Sequence, residues 1–310
     1  MTSPWENHLS IKNLSGLIAA TFTPMGDDGA LNLDTVPTIV ERLISEGVSG
    51  LFVCGGNGEG VSLTDEERKK TAEAYVNAAN GRIPVVVHVG QDSLFSARGL
   101  AQHAAGIGAD GISAITPTYF KPTSTSALLD SLSVIAEGAP ELPFVYYHFP
   151  VKSGVEIDLP EFIELAKEKL PSLYAIKFTD PRLDDLQSGL AASDIKIFYG
   201  IDEMLLGGLA AGASGAIGST YNFAAPLYLK LMEAWEQNDI SEARRLQALS
   251  VKMVRAFLPF GGVEGQKAIM DMIGLTCGPA RLPLNKLTTA EIDQLQNNLN
   301  DIDFFDWARS

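Results

Sequence analysis

Residues 143–147 read Pro-Phe-Val-Tyr-Tyr, an apolar run whose side chains would cover both faces of an extended strand. The run Val85-Val-Val87 has the same property. Strands that are apolar on both faces are typical of parallel sheets, whose outer face is covered by helices. Both runs are followed by longer segments with a helical period, so each predicts a strand that leads into a helix.

Six more runs of this kind lie roughly one strand-helix unit apart along the chain. The eight predicted strands are residues 16–22, 50–54, 84–89, 111–115, 143–147, 173–178, 195–199 and 215–219. No GxGxxG motif follows the first strand, and no break in composition marks a second domain. The pattern therefore predicts an α/β fold, a closed (β/α)8 or TIM barrel, rather than an open doubly wound sheet.

Two capping boxes mark helix starts. Thr64 is followed three residues later by Glu67, and Thr288 by Glu291, the spacing at which the two residues cap each other's backbone N–H groups. The second box lies beyond the eighth strand, where the sequence keeps a helical period. The predicted organisation is a tail at residues 1–15, a barrel at 16–236 and a helical extension packed on the barrel at 237–310.

Size and composition favour a single large soluble domain. The chain has 310 residues and a mass of 33.2 kDa, about twice the usual domain size, which suits one α/β barrel. Hydrophobic residues make up 46% of the chain and the mean hydropathy is +0.10, enough for a sizeable core. The net charge of −15 repels phosphate backbones and anionic lipids, so neither a nucleic acid nor a membrane is the expected partner.

The two cysteines and the N-terminus predict a cytoplasmic location. Cys54 and Cys277 lie far apart, with no spacing typical of zinc ligands, as expected in a reducing compartment. Residues 1–13 lack the apolar core of a signal peptide, and no stretch approaches the ~20 apolar residues of a membrane span.

Lys177 stands near the C-terminal end of the sixth predicted strand, at the edge where barrels place their active sites. With period two, Ala175 and Lys177 share a face, and an inward face would give the amine apolar neighbours. Burial disfavours the ammonium and lowers its pKa, as an amine needs in order to form a Schiff base with a ketone. The alternative is a lysine that extends from the strand end into water.

Polar residues at two other strand ends are further candidates. Tyr147 ends the fifth strand at the level of Lys177, where a phenol would relay protons; a hydrogen-bonded core tyrosine is the alternative. Asp202 and Glu203 follow the seventh strand and would accept hydrogen bonds from a polyol. They fit equally well as a helix cap and a favourable first-turn charge.

The turn Cys54-Gly-Gly-Asn-Gly-Glu-Gly60 follows the second strand, and its free amides would hold a carboxylate. His88 lies inside an apolar strand and is predicted to be a core residue. No HxH, HExxH or carboxylate cluster in the sequence indicates a metal site.

Five stretches, taken together, occur in the same order as in a known family and span nearly the whole chain. They are Gly55-Gly-Asn-Gly-Glu59, Tyr146-Tyr-His-Phe-Pro150, Ile176-Lys-Phe-Thr-Asp180, Gly200-Ile-Asp-Glu-Met-Leu205 and Gly215-Ala-Ile-Gly-Ser-Thr-Tyr-Asn222. The chain resembles the N-acetylneuraminate lyase and dihydrodipicolinate synthase family. Residues 218–222, the Tyr-Tyr-His before Pro150 and the closing stretch Gly278-Pro-Ala-Arg-Leu-Pro-Leu284 are most similar to the lyase subgroup.

The resemblance implies a class I aldolase that cleaves N-acetylneuraminate to N-acetylmannosamine and pyruvate. Lys177 would be its Schiff-base lysine and Tyr147 its proton-relaying phenol, with no metal or organic cofactor. The residues implied to line the sugar pocket are Thr179, Gly200, Asp202, Glu203, Gly218 and Ser219. The family is typically a homotetramer, and Tyr119 stands where it places a tyrosine near the subunit interface.

Two positions depart from the family pattern. Gly56-Asn57 replaces the hydroxyl residues that would hold the substrate carboxylate, so the Gly56 and Asn57 amides and the Asn57 side chain are expected to substitute. Lys152 stands where the synthases carry an arginine and the lyases an apolar residue. Another 2-oxo-acid aldolase or synthase of the family therefore stays open, either like dihydrodipicolinate synthase or acting on 2-keto-3-deoxy sugar acids. A non-catalytic barrel that binds a sugar acid stays open too.

Overall fold

The computed structural model describes residue 11 and residues 14–308. Its strands are β1 (Gly16–Ala20), β2 (Gly50–Val53), β3 (Val85–His88), β4 (Gly111–Ile115), β5 (Phe144–His148), β6 (Leu173–Phe178), β7 (Lys196–Tyr199) and β8 (Gly215–Gly218). They are parallel and pair in sequence order, and the sheet closes because β1 also pairs with β8. The predicted (β/α)8 barrel is confirmed.

Several strands end one or two residues earlier than the sequence predicts, at the edge where loops leave the barrel. The first predicted run extends to residue 22, whereas β1 ends at Ala20. The second run was expected to include Cys54, but that residue has a φ of +60° and turns the chain out of the ladder after Val53. Left-handed φ is uncommon outside glycine, and no ladder geometry accommodates it.

Helices connect the strands and continue beyond the last one. They are α1 (Val36–Ser45), α2 (Asp65–Ala79), α3 (Leu94–Gly106), α4 (Thr125–Ala136), α5 (Pro150–Ser153), α6 (Leu159–Lys169), α7 (Leu183–Ala192), α8 (Leu205–Ala210), α9 (Tyr221–Glu236), α10 (Ile240–Phe257), α11 (Gly262–Met272), α12 (Thr289–Asn300) and α13 (Phe304–Trp307). Both predicted capping boxes are present: Thr64 starts α2 with Glu67, and Thr288 starts α12 with Glu291.

The core has an interior and an outer layer. Side chains inside the barrel include Ile18, Phe52, Val145, Ala175, Phe198 and Ile217. At the N-terminal ends of the strands, Ile11 and Leu14 join this interior, and the Tyr174 hydroxyl donates to the Ile11 carbonyl at 2.6 Å. The chain therefore closes the end of the barrel opposite the predicted site.

The helices after residue 236 share the outer core with the barrel. Met253 in α10, Leu295 and Leu299 in α12, and Phe304 in α13 are all buried in the same hydrophobic cluster as the barrel helices. Within residues 14–308, no helix combines the length and apolar character that crossing a bilayer demands. Of the predicted tail at residues 1–15, the structure describes Ile11, Leu14 and Ser15, and the other residues lie outside the described part of the chain.

Candidate active site

Lys177 lies inside the barrel on β6, with only 3% of its surface exposed. Its Nζ is 4.2 Å from the centroid of the Tyr147 ring and 4.5 Å from that of Phe52. The interior cluster also contains Ala175, whose small side chain precedes Lys177 on the same face. The amine is therefore held against aromatic faces and away from bulk water.

This environment changes the acidity of the amine. Burial lowers the pKa of Lys177 from 10.5 to about 7, and the nearby Asp202 carboxylate opposes part of that shift. A substantial fraction of the amine is therefore neutral at neutral pH, and a neutral amine is the nucleophile that attacks a carbonyl carbon.

Tyr147 is the neighbour of Lys177 in the sheet, because the two residues are register partners of β5 and β6. Its ring stacks on Phe149 at 5.6 Å and meets Phe52 and His88 edge-on at 5.9 and 6.0 Å. Burial raises the pKa of Tyr147 well above its usual value, so the group is a neutral phenol. The Thr179 hydroxyl approaches it and partly offsets that shift.

Asp202 places a carboxylate on the same cavity. It lies in the short turn Asp202–Met204 after β7 and is 5% exposed. Its Oδ2 accepts hydrogen bonds from the Thr220 N–H at 2.9 Å and the Thr220 hydroxyl at 2.8 Å. Its buried Oδ1 makes no hydrogen bond among the described residues, since the approach of the Tyr221 hydroxyl to this carboxylate falls short of one, and it is available to a ligand. Burial raises the pKa of Asp202, whereas Thr220 and Lys177 oppose that shift.

Glycine at position 218 makes room for this carboxylate. A Cβ on Gly218 would lie 1.6 Å from Asp202 Oδ1, so even alanine there would displace the side chain. Gly200 has the same relation to Thr179, whose Oγ1 would be 2.0 Å from an added Cβ. Any larger residue at position 200 or 218 would collide with these polar side chains, so both positions require glycine.

The remaining pocket candidates also lie at the C-terminal edge. The Thr179 hydroxyl is buried, and its approach to Tyr147 falls short of a hydrogen bond, so it has no partner among the described residues. Glu203 and Ser219 are half-buried, directly after Asp202 and β8. Burial raises the pKa of Glu203. These groups supply donors and acceptors around Lys177 and Tyr147.

The C-terminal extension contacts the backbone of Asp202 on the side away from the cavity. Gln247 and Ser250, both on α10, donate to the Asp202 backbone carbonyl at 3.3 and 3.4 Å. The Ser250 hydroxyl is also hydrogen-bonded to Tyr228 at 2.8 Å, and Tyr228 to Thr220 at 2.7 Å. This chain of buried hydroxyls was not predicted, because it joins residues from different elements through side chains alone.

The glycine-rich loop after β2 leaves amides free at the same edge. Among the described residues, the N–H groups of Gly56 and Asn57 donate no hydrogen bond. Gly56 is exposed, and a Cβ there would meet nothing within 4 Å. Adjacent backbone amides without an internal partner are groups with which a turn can bind an anion.

Tyr119 lies apart from these groups. It is 79% exposed in the loop after β4, where its ring packs edge-on against Phe120 at 4.9 Å. Its backbone N–H donates to Asp92 at 3.1 Å. Within one chain the structure does not bring Tyr119 to Lys177.

His88 is nearer to the site than sequence reasoning placed it. It is a buried core residue, but its ring lies in the barrel interior, edge-on to Tyr147, and its Nε2 accepts from the Ile115 N–H at 3.2 Å. Side chains two residues apart on a strand share a face, and Val86 points into the barrel. The sequence could therefore have predicted that His88, two residues later on β3, also points into the barrel. Burial lowers the pKa of His88 well below its usual value, so the ring is neutral.

Across residue 11 and residues 14–308, no group of three or more His, Cys, Asp or Glu side chains is arranged to hold a metal ion. Both cysteines are buried thiols, and burial raises the pKa of Cys54 to about 11, which leaves it protonated and unreactive.

Known proteins share this chain's sequence and fold over most of its length. N-acetylneuraminate lyase of Mus musculus is 40% identical over 300 residues, 94% of each chain. The structure of Proteus mirabilis N-acetylneuraminate lyase is 36% identical with a TM-score of 0.91, covering 94% of this chain and 99% of that one. Dihydrodipicolinate synthase from Bacillus anthracis is 25% identical with a TM-score of 0.87, covering 93% and 98%.

A family model, that of the dihydrodipicolinate synthetase family, matches residues 13–302. That range includes all eight strands and helix α10, whose side chains donate to the Asp202 backbone carbonyl. The chain belongs to the dihydrodipicolinate synthetase family.

Proposed function

We propose that this protein is a class I aldolase that cleaves N-acetylneuraminate to N-acetylmannosamine and pyruvate. The observation that carries the proposal is the buried Lys177 amine, whose pKa is lowered to about 7 and which packs on the face of Tyr147. Asp202 supplies an unpaired carboxylate oxygen in the same cavity. The greater identity to the lyases than to the synthase favours this substrate.

The first step is imine formation. The neutral Lys177 amine adds to the keto carbon of the open-chain sugar acid, and loss of water with uptake of one proton from solvent gives a protonated imine; that proton is released again when water frees pyruvate at the end of the cycle. That cation is the electron sink for the next step, so the proposed chemistry needs no metal or organic cofactor.

Cleavage breaks the bond between the methylene next to the imine and the carbon that bears the neighbouring hydroxyl. The bonding electrons move to the imine nitrogen and leave an enamine, while the hydroxyl becomes the aldehyde of the departing sugar. The hydroxyl proton passes through the Tyr147 phenol and is returned to the enamine carbon, so no net proton is gained or lost. Water then releases pyruvate and restores Lys177.

The proposed binding groups divide by chemistry. The free amides of Gly56 and Asn57, with the Asn57 side chain, hold the carboxylate in place of the family's hydroxyl residues. The sugar hydroxyls are bound by polar groups at the C-terminal strand ends, namely Thr179, Gly200, Asp202, Glu203, Gly218 and Ser219.

Product analysis tests the function directly. Incubation with N-acetylneuraminate should release pyruvate and N-acetylmannosamine in equal amounts, measured by coupled reduction of pyruvate and by chromatography of the sugar. Absence of pyruvate, together with turnover of another 2-oxo acid, would contradict the proposed substrate.

One observation favours a second candidate. Lys152 is exposed on α5, directly after the strand that carries Tyr147, and a cation there suits a substrate with a second carboxylate. A synthase that joins pyruvate to aspartate semialdehyde fits that description. An aldolase acting on a 2-keto-3-deoxy sugar acid is the related alternative, so all three substrates belong in the same assay panel.

The pH profile reports the state of the amine. Because only neutral Lys177 attacks, the rate constant for imine formation with pyruvate should rise with pH through about 7 and level off above. Asp202→Asn removes the negative charge that raises the pKa of Lys177, so the midpoint should move to lower pH. The measurement is rapid-quench trapping with sodium borohydride between pH 5 and 11.

Asp130→Asn is the matched control for this experiment, since Asp130 is exposed on α4 and paired with Lys169. It should leave the midpoint where it is. A midpoint near pH 10 in the unmodified protein would show that Lys177 is not the titrating nucleophile.

We also propose that the protein is a cytoplasmic homotetramer. Tyr119 and Phe120 expose 79% and 84% of their surfaces side by side, and Val151 on the neighbouring α5 exposes 78%. An apolar patch of this kind marks a contact with another chain. Analytical ultracentrifugation should give four times the chain mass, and a monomer at micromolar concentration would contradict the assembly.

The proposed cytoplasmic location rests on the two cysteines, whose free thiols fit a reducing compartment.

A further inference from the structure

The loop that follows β2 contains two residues in an unfavourable backbone conformation. Cys54 has a φ of +60° and Glu59 a φ of +53°, both in the left-handed region that glycine normally occupies. Gly56 and Asn57, with their free amides, lie between these two points. Strained backbone persists only where the surroundings impose it, so something must hold the loop in this shape.

A buried ion pair holds the end of the loop. The Glu59 carboxylate lies 2.9 Å from the ammonium of Lys267, and each side chain is only 1% exposed. Lys267 is on the inward face of α11, 208 positions further along the chain. The Arg281 backbone N–H donates to the other Glu59 oxygen at 2.7 Å.

The Lys267 ammonium has no freedom to shift. Besides Glu59, it donates to the Thr23 carbonyl at 3.0 Å and the Pro279 carbonyl at 2.9 Å, which uses all three of its protons. Thr23 in turn donates from its hydroxyl to the Gly58 carbonyl at 2.6 Å, next to Glu59. The ion pair therefore joins the chain after β1, the loop and the C-terminal extension at one point.

A second contact from the extension fixes the far side of the loop. The Arg281 guanidinium donates to both carboxylate oxygens of Glu67 at 2.8 Å and to the Ser62 carbonyl at 3.2 Å. The Arg281 hydrogen bonds lower the pKa of Glu67 to about 2, so this pair stays charged across the physiological range.

We propose that Glu59 and Lys267 are positioning residues that set the affinity of the glycine-rich loop for the substrate carboxylate. This inference rests on the proposed function, since it assigns the 2-oxo acid carboxylate to the Gly56 and Asn57 amides. Neither residue of the pair touches the substrate. They act by holding the backbone whose two N–H groups do.

The pair has this effect because amide hydrogen bonds are sensitive to geometry. A misplacement of about 1 Å can cost ~100-fold in rate, and the hydrogen bonds that hold a carboxylate depend on the same precision of distance and angle. Removing Lys267 breaks the link between residue 59 and the Thr23 and Pro279 carbonyls, so the end of the loop is no longer held, whether or not residue 59 carries a charge. In the single variant the unpaired Glu59 carboxylate would also turn toward water. The amine on β6 is anchored separately, inside the barrel, and would keep its reactivity.

The test measures pyruvate binding apart from imine chemistry. The variants are Lys267→Met and the uncharged double variant Glu59→Gln/Lys267→Met. For each, the amount of protein reduced by borohydride to a pyruvate adduct is measured by mass spectrometry over a range of pyruvate concentrations. In both, the half-saturating concentration should rise about tenfold or more, while the modified fraction at saturation stays within about twofold of the unmodified protein.

The double variant separates positioning from folding stability. Lys267→Met alone should lower the melting temperature, whereas the double variant contains no unpaired buried charge and should recover much of that loss. If Lys267→Met does not fold, the double variant carries the test. Leu295→Ala, in the buried core of the extension on α12, is the control for general destabilisation and should leave the half-saturating concentration unchanged.

Two results would overturn the inference: a double variant whose half-saturating concentration is within twofold of the unmodified protein, or an equal rise in Leu295→Ala. A partly unfolded protein behaves differently, because it lowers the modified fraction at saturation and not the concentration needed to reach half of it. Failure of the proposed function is visible separately, since the unmodified protein would then form no adduct with pyruvate.

Discussion

Replacing Lys177 by alanine is expected to abolish covalent trapping of pyruvate by borohydride and to lower kcat/KM by at least about 10⁴-fold. The amine is the only proposed source of the electron sink, so nothing in the cavity replaces it. Mass spectrometry of the intact protein after reduction detects the adduct directly, and turnover of N-acetylneuraminate gives the rate.

Two companion variants make this result specific. Lys177→Met should also lose activity and trapping, and its side chain fills the volume that alanine leaves empty, which limits the destabilisation expected from a cavity. Lys167→Ala removes an amine that is 60% exposed on α6 and should trap pyruvate normally. An adduct that persists in Lys177→Ala would assign the chemistry to another lysine.

The barrel could be predicted because its signal is local and repeated. Each strand is a short apolar run followed by a helical period, and eight repetitions of that unit have one compact closed arrangement. The same regularity predicted that Tyr147 and Lys177 lie at one level, 30 residues apart. In the structure they are paired residues of adjacent strands.

Contacts between side chains of elements far apart in the sequence could not be predicted from local periodicity. Glu59 was visible as part of a glycine-rich motif, but nothing near Lys267 in the sequence indicates that its helix face turns toward that loop. The hydrogen bonds that link the Ser250 and Tyr228 hydroxyls, on the helices after β8, to Thr220 could not be predicted from the sequence either. Periodicity shows which face of an element is buried, but not which residue of another element it meets.

Conformation at single residues was also hidden. Cys54 was expected to end a strand, whereas its left-handed backbone starts the loop, and its thiol donates to the Arg68 carbonyl at 3.7 Å. A non-glycine residue with positive φ has no sequence signature, because its conformation is imposed by contacts made elsewhere in the fold. The strained residues lie at the site, where local preference and tertiary structure disagree.

Replacing Tyr147 by phenylalanine is expected to lower kcat for cleavage by about 10²–10⁴-fold, the usual contribution of a positioned proton-transfer group. The ring would keep its contacts with Phe52, His88 and Phe149, so the cavity should retain its shape. Imine formation with pyruvate needs only the amine, and the borohydride adduct should therefore still form.

Tyr146→Phe is the matched control, because it also deletes a phenolic hydroxyl, but from the adjacent buried tyrosine on the opposite face of β5. That hydroxyl is hydrogen-bonded to Thr116 at 2.9 Å, and its ring packs on Phe162 in the helix layer. Its loss should cost about 1 kcal/mol of stability and leave kcat unchanged. Equal turnover in Tyr147→Phe and the unmodified protein would remove the phenol from the mechanism. A loss of trapping together with turnover would instead mean that Tyr147 acts in imine formation, before the carbon–carbon bond is broken.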